Sequence, residues 1–273
     1  GSPGGGPREE AEGNEGDRPL DSERGQAGIY SDAKQEAEGN GGNVTIRSAS
    51  LEVTNDFIIG VGGFGTGDAG DIQIVTDSLR ATNGAQIDAS TFGIGDAGSI
   101  EITASDMAVF DGEKGPSTGV FSTVQPGATG NAGGITITTD ALEAINGARI
   151  SASTAGRGDA GNVNITTPLI NIDRGEISAF TETSGSGGDI FIASPESLNI
   201  SGNGEIKATA SSTGSAGDIG IRSQNLTLSN GADITASTTG TGNAGTINLQ
   251  ANTIDILKSS EILAFTEGSG DRK

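Results

Sequence analysis

Hydrophobic residues recur along this chain in a pattern that repeats about every 28 residues. A glycine followed by two alternating residues of the Val, Ile or Leu type occurs eight times, at Gly42, Gly70, Gly98, Gly133, Gly161, Gly188, Gly217 and Gly245. Successive glycines lie 28, 28, 35, 28, 27, 29 and 28 residues apart. A repeat of this period is typical of solenoid proteins, in which each repeat forms one coil and stacks on its neighbours.

The polar and apolar positions inside each repeat predict three short strands. Apolar residues two and four positions after the glycine alternate with polar residues, as in a strand with one buried face. A second apolar pair follows at positions 9 and 11, and in the 35-residue repeat this spacing assigns Met107 and Val109 to the interior. Small and large residues then alternate at positions 15, 17 and 19, as around Ile150. Because such short strands need neighbouring coils to bury their apolar face, we predict an all-β, parallel β-solenoid of about eight coils over residues 27–270.

Stacking places equivalent residues of successive coils above one another, so isoleucines should form continuous ladders inside the solenoid. Asn-Gly pairs, which tolerate positive φ, predict a tight corner between the second and third strands. These pairs are Asn83-Gly84, Asn146-Gly147 and Asn230-Gly231. We assign to the ladders Ile72, Ile74, Ile87, Ile100, Ile102, Ile135, Ile137, Ile150, Ile165, Ile190, Ile192, Ile219, Ile221, Ile234 and Ile247.

The 35-residue repeat predicts a loop. We place about seven additional residues near Asp111 to Gly119, at the corner that is Asn-Gly in other coils. A loop that protrudes from a regular scaffold favours contact with a ligand or partner, although a surface insertion without a partner is the simpler explanation. The candidate contact residues are Asp111, Glu113, Lys114 and Phe121.

Phe64 and Phe92 lie in or beside the glycine-rich third corner. Two interpretations stay open: the rings stack on sugars or on a neighbouring rod, or they pack against each other across adjacent coils. The same corner carries polar residues, but the nonapeptide of calcium-binding β-rolls is absent, so we expect side-chain stacking and turn hydrogen bonds instead. These polar residues are Asp68, Asp96, Asn131, Asp159 and Asn243.

The composition excludes several function classes. The 273 residues include no Cys, no His and no Trp, which excludes disulfides, a Cys nucleophile, a Ser-His-Asp triad and zinc sites built on His or Cys. A formal net charge of −21 argues against binding nucleic acid or anionic lipid through a basic patch. No apolar run approaches the roughly 18 residues of a membrane-spanning helix. Residues 1–26 contain one aliphatic residue, Leu20, and we expect a flexible acidic arm rich in Gly and Pro.

A resemblance adds to this interpretation. The repeat G-[DN]-A-G-x-I-x-I, then a T-D-S-L or Q-N-L-T-L strand, then N-G-A-x-I-x-A-S-T, resembles the repeats of filamentous-haemagglutinin-like exoproteins of the two-partner secretion type, in their cyanobacterial form. The resemblance covers residues 27–270. It implies a right-handed parallel β-helix, export through an outer-membrane pore partner, a location outside or on the surface of a Gram-negative-type bacterium, and a role in adhesion, surface coating or matrix formation.

We therefore expect a secreted structural or adhesive β-solenoid of a cell-surface or matrix fibre that associates end to end through open strand edges. The alternative is a segment of a long monomeric adhesin that binds a glycan or a cell surface. A polysaccharide-acting β-helix enzyme is a third possibility, but coils of nearly constant length leave little wall for a cleft. We expect no catalytic, cofactor or metal site and no nucleic-acid partner.

Overall fold

The structure, a computed structural model, describes residues 27–113 and 118–268, which form strands and turns without a helix. The strands are β1 (Gly28–Tyr30), β2 (Val44–Arg47), β3 (Ser50–Thr54), β4 (Ile58–Gly60), β5 (Ile72–Thr82), β6 (Gln86–Asp88), β7 (Ile100–Asp111), β8 (Gly119–Phe121), β9 (Ile135–Ile145), β10 (Arg149–Ser151), β11 (Val163–Thr166), β12 (Leu169–Asp173), β13 (Glu176–Ser178), β14 (Ile190–Ser201), β15 (Glu205–Lys207), β16 (Ile219–Leu228), β17 (Asp233–Thr235), β18 (Ile247–Ile256) and β19 (Glu261–Leu263).

The strands belong to two parallel sheets. The narrow sheet contains nine three-residue strands in the order β1-β4-β6-β8-β10-β13-β15-β17-β19. The wide sheet follows the order β18-β16-β14-β11-β9-β7-β5-β2, with β3 beside β5 and β12 between β9 and β14. Each strand pairs with the equivalent strand of the next coil, as Ile150 does with Val120 and Ile177. The predicted parallel β-solenoid is confirmed, and we number its coils one to eight from the glycines at Gly42 to Gly245.

The first two strands predicted in each coil lie in the wide sheet. In six coils these two strands are continuous and form one strand of 10 to 12 residues. They are separate in coil one, as β2 and β3, and in coil five, as β11 and β12. The third predicted strand forms the narrow sheet. Each coil therefore has two faces that lie in sheets, joined by the Asn-Gly corner and by the glycine-rich third corner.

The core lies between the two sheets and consists of the predicted isoleucine ladders. Fourteen of the fifteen assigned isoleucines are at most 1% exposed, from Ile72 to Ile234. Ile247 is half-buried, because it lies in the last described coil and only one neighbour covers it. Small residues flank the narrow-sheet ladder, as Ala148 and Ala152 do beside Ile150, so the two sheets approach closely.

The predicted Asn-Gly corners are confirmed. Asn83 and Gly84 adopt φ values of 54° and 83°, and the other two Asn-Gly pairs adopt similar values. The backbone N–H of Ala85 donates to the carbonyl of Thr82 at 3.2 Å and closes the turn. Other coils turn with other residues at positive φ, including Lys258 at 52° and Ser259 at 63°.

The assignment of Met107 and Val109 to the inward face of the strand is wrong, although Val109 is buried, with 5% exposure. Strand β7 contains a bulge between Ala104 and Met107, which adds one residue relative to both neighbouring strands. A shift of one residue exchanges the two faces of a strand. The fully buried residues are consequently Ala108 and Phe110, while Met107 is 38% exposed.

The placement of about seven inserted residues near Asp111 is right for four of them and wrong for the other three. Asp111 pairs with Thr82 and Gly119 with Gln86, so this corner contains seven residues where coil two has three, an excess of four. The bulge accounts for one more residue. The remaining two lie in the third corner. There Val124 and Thr129 are five positions apart, whereas the two residues of coil two that pair with them are three positions apart. The protruding loop is therefore shorter than the repeat length suggests.

The third corner forms the expected side-chain hydrogen bonds between coils. The carboxylate of Asp68 accepts from the backbone N–H of Asp96 at 2.8 Å, and Asp96 in turn accepts from the N–H of Asn131 at 2.6 Å. The amide oxygen of Asn131 accepts from the N–H of Asp159 at 2.9 Å. The side chains thus satisfy backbone groups that the curved backbone leaves without a partner in a sheet.

Three predictions fall wholly or partly outside the described residues: the flexible arm over residues 1–26, the contact residue Lys114, and the last two residues of the range 27–270.

Candidate functional site

Aromatic side chains are concentrated on the outer face of the narrow sheet and the corner that follows it. The chain contains eight Phe, one Tyr and no Trp. On the outer face of the wide sheet, Phe191 lies under the guanidinium of Arg222, 5.5 Å from the ring centroid. Phe57 and Phe110 pack in or against the core. The remaining six aromatic residues lie on the outer face of the narrow sheet or in the corner that follows it. They are Tyr30, Phe64, Phe92, Phe121, Phe180 and Phe265.

A depression of about 250 Å³ opens on this face between coils two and five. Its floor is formed by small residues of coil four, Ser151, Ser153 and Ala155. Phe121 of coil three pairs with Ser151, and Phe180 of coil five donates its backbone N–H to Ser153 at 3.3 Å. Bulky rings thus stand on both sides of a floor without bulky side chains. We call this feature, lined by Phe92, Phe121, Phe180 and the small floor residues, the aromatic groove.

Polar side chains at one end of the aromatic groove form a connected network. Asp88 accepts from the backbone N–H of Ser90 at 3.0 Å and from its hydroxyl. The Ser90 hydroxyl lies 2.8 Å from that of Thr123, and the Gln125 amide donates to Thr123 at 2.7 Å. These contacts join coils two and three and hold the amide of Gln125 at the groove, beside Phe121.

The other side of the aromatic groove is bordered by a row of ion pairs that crosses three coils. Arg149, which lines the groove, donates to Glu176 at 2.9 Å. Glu176 also pairs with Lys207 at 3.1 Å, and Lys207 pairs with Glu205 at 2.8 Å. The row fixes the guanidinium of Arg149 and neutralises its charge.

Burial alone would raise the pKa of Glu176, but attraction by Arg149 and Lys207 and hydrogen bonds from Ser178 and Arg149 outweigh it, so the pKa lies below its usual value of 4.5. Burial would likewise lower the pKa of Lys207. Hydrogen bonds and attraction from Glu205 and Glu176 outweigh this effect and raise the pKa above its usual 10.5. Both groups are therefore charged across the neutral range.

The strand edge of coil eight is a second candidate surface. Leu226 and Leu228 in coil seven are at most 1% exposed, whereas their partners Ile254 and Ile256 in coil eight are 41% and 47% exposed. Leu257 beside them is also exposed. Among the described residues β18 pairs only with β16, so this edge presents apolar side chains next to backbone groups without a strand partner, a combination that templates strand pairing.

The predicted contact loop does not assemble into a site. Asp111 accepts from the N–H of Glu113 at 3.1 Å and from the side-chain amide of Asn146 at 2.9 Å, so it stabilises its own corner. Phe121 belongs to β8 and lies in the aromatic groove instead. Phe64 and Phe92 stack on each other with centroids 4.5 Å apart, which favours the second of the two interpretations of these rings.

Several groove residues escaped the sequence analysis, among them Phe180, Gln125 and Arg149. One signal was available: aromatic residues are scarce in this chain, yet several recur around the third strand of successive repeats. Among the described residues, no group of three or more His, Cys, Asp or Glu is placed to hold a metal ion. Within the same ranges the structure contains no helix long and apolar enough to cross a membrane.

Comparison of the chain with protein-family models, with curated proteins and with solved structures found no match.

Proposed function

We propose that this protein is a secreted structural and adhesive rod that associates end to end into a cell-surface or matrix fibre. One observation carries the proposal: the edge of coil eight exposes the positions that are buried between all inner coils. The narrow sheet has one strand level more than the wide sheet, so a second copy that stacks β1 on β19 leaves one strand level of the wide sheet between β18 and its own β2 and β3. A strand of the second copy at this level would bury Ile254 and Ile256 as coil eight buries Leu226 and Leu228. Its other neighbours would be Ile46 and Leu51 of the first edge, which are half-buried.

The energetic argument follows from the stacking inside the rod. Each coil interface combines a parallel strand ladder with apolar ladders, and apolar burial contributes about 25 cal/mol per Å² removed from water. Nearly all described residues between 42 and 268 belong to coils that pair with a neighbouring coil through strands or bridges. A repeat architecture of this kind is extended by adding equivalent units at its ends.

The resemblance to filamentous-haemagglutinin-like exoproteins supports the extracellular part of the proposal. It implies export through an outer-membrane pore partner and a place on the surface of a Gram-negative-type, cyanobacterium-like cell. The proposal therefore includes secretion, adhesion to a surface and self-association as one function.

Electron microscopy of the purified chain at several concentrations tests the fibre. We expect filaments with an axial repeat of about 40 Å, because eight to nine coils are spaced about 4.7–4.9 Å apart. Ile256→Asp places a carboxylate on the open edge without disturbing the core, and this variant should give short rods. Ile94→Asp is the matched control, since Ile94 is exposed on a corner away from the ends, and it should still form filaments.

Short rods from the unaltered chain at every concentration would overturn end-to-end association. The alternative, a segment of a long adhesin whose next coil covers this edge, would then be favoured.

A further inference from the structure

We propose that the aromatic groove binds a neutral oligosaccharide chain. This site deepens the adhesive part of the proposed function and rests on it, because it names the ligand that the rod would hold on its flank. It does not depend on end-to-end association, since the aromatic groove lies on the side of coils two to five.

The first argument is the distribution of the rare aromatic residues. The wide sheet has longer strands and more outward positions than the narrow sheet. Among its described strands, however, the one outward aromatic residue is Phe191, and the guanidinium of Arg222 already covers its ring. Three half-buried rings instead line the aromatic groove. An aromatic face stacks on the flat, C–H-rich face of a pyranose ring, a contact that charged or aliphatic side chains do not offer.

The second argument is the shape of the floor. Coil four carries Ser151 where coil three carries Phe121, and Ser153 where coil five carries Phe180, so the two rings stand diagonally across the small floor. Coils three and five lie two strand spacings apart, about 10 Å along the axis. A floor of this width between two rings admits a flat sugar ring.

The third argument is the polar border. The Gln125 amide and the Arg149 guanidinium are planar groups with several hydrogen-bonding atoms, which suits pairs of neighbouring hydroxyls on a sugar. Their contacts with Thr123 and Glu176 hold both groups in place before a ligand arrives. Binding therefore costs little side-chain ordering, which favours even a weakly bound ligand.

The fourth argument is charge, which selects a neutral sugar over an acidic one. Arg149 is paired with Glu176, and Asp88 lies at the same depression. The whole chain carries a formal charge of −21, so a polyanionic glycan would be repelled. Neutral sugars are unaffected by this field, and their binding should change little with salt.

Isothermal titration of the full chain with cellohexaose, maltohexaose and xylohexaose tests the proposal, with hexagalacturonate as the acidic comparison. We expect at least one neutral hexasaccharide to bind with a Kd below about 1 mM, and hexagalacturonate to give no heat. Phe121→Ala and Phe180→Ala should each weaken binding about tenfold, since each removes one stacking face. Phe191→Ala removes an aromatic ring from the other sheet and should leave the affinity unchanged. Circular dichroism checks that all three variants fold.

The proposal is overturned if none of the neutral sugars binds at millimolar concentration, or if Phe191→Ala weakens binding as much as Phe121→Ala does. Filament formation by the unaltered chain separates this outcome from the proposed function, because a chain that forms fibres but binds none of the neutral sugars refutes only the site.

Discussion

In coils two to eight, the glycine that precedes the first strand has no room for a side chain. A Cβ at Gly133 would overlap the carbonyl oxygen of Gly98, the equivalent glycine one coil below. Gly161 has the same relation to Gly133. The next residue, Gly134, differs, because a Cβ there would meet only the carbonyl oxygen of Asn162 at 3.6 Å, an ordinary contact. The glycine spacing visible in the sequence therefore reflects close backbone approach between coils.

The two adjacent glycines give a matched test. Gly133→Ala should lower the free energy of unfolding by about 1–3 kcal/mol, since the methyl group forces the backbones of coils three and four apart. Gly134→Ala should change it by less than about 1 kcal/mol, in the stabilising direction, because alanine restricts the unfolded chain. Urea denaturation of both variants measures the difference. Equal effects would show that the glycine spacing has another cause.

At the scale of elements, side-chain interactions link several strands to the equivalent strand of the next coil. The ion pairs of Glu176 connect β13 with β10 on one side and with β15 on the other. In the wide sheet, hydroxyl pairs such as Thr54 and Thr82, 3.0 Å apart, serve the same purpose on β3 and β5. Outward side chains thus add to the stacking that the inner ladders provide.

Glu176 should make stability depend on pH. Its pKa is lowered in the folded state, so its contribution is present above the usual value of 4.5 and is lost as the pH falls through the lowered value. Glu176→Gln should cost about 1 kcal/mol at pH 7. The difference from the unaltered chain should vanish at the acidic end, where Glu176 is itself neutral. Urea denaturation from pH 7 to pH 2 measures it, and a constant difference would contradict the assignment.

At the scale of the whole molecule, two opposing forces act on end-to-end association. The apolar edge residues Ile254 and Ile256 favour contact between rods, whereas a formal charge of −21 on each chain opposes it. Salt screens the second force, because the Debye length falls from about 30 Å at 0.01 M to about 8 Å at 0.15 M.

Filaments should accordingly be longer and should form at lower protein concentration in 0.15 M sodium chloride than in 0.01 M. Sedimentation velocity at matched protein concentrations measures the change in size distribution. Dissociation on adding salt would indicate that ion pairs, and not apolar edges, hold the rods together.

The sequence alone determined the architecture, because stacking makes one local pattern recur in every coil. The 28-residue period places equivalent residues one strand spacing apart, and alternation within a repeat assigns Ile135 and Ile137 to the same buried face. The Asn-Gly corners follow from the residues themselves, since Asn and Gly tolerate positive φ at low cost.

Only the tertiary structure decided the inward residues of coil three and the composition of the aromatic groove. In the segment Met107 to Phe110 both alternating sets are apolar, so the pattern is ambiguous until strand pairing reveals the bulge. The aromatic groove joins Phe92, Phe121 and Phe180 from three coils, and the small floor between them belongs to a fourth. Local patterns specify which face of a strand is buried. A surface site depends instead on which outward residues of neighbouring coils lie beside one another. The number of residues per coil varies, and this variation sets the register between coils.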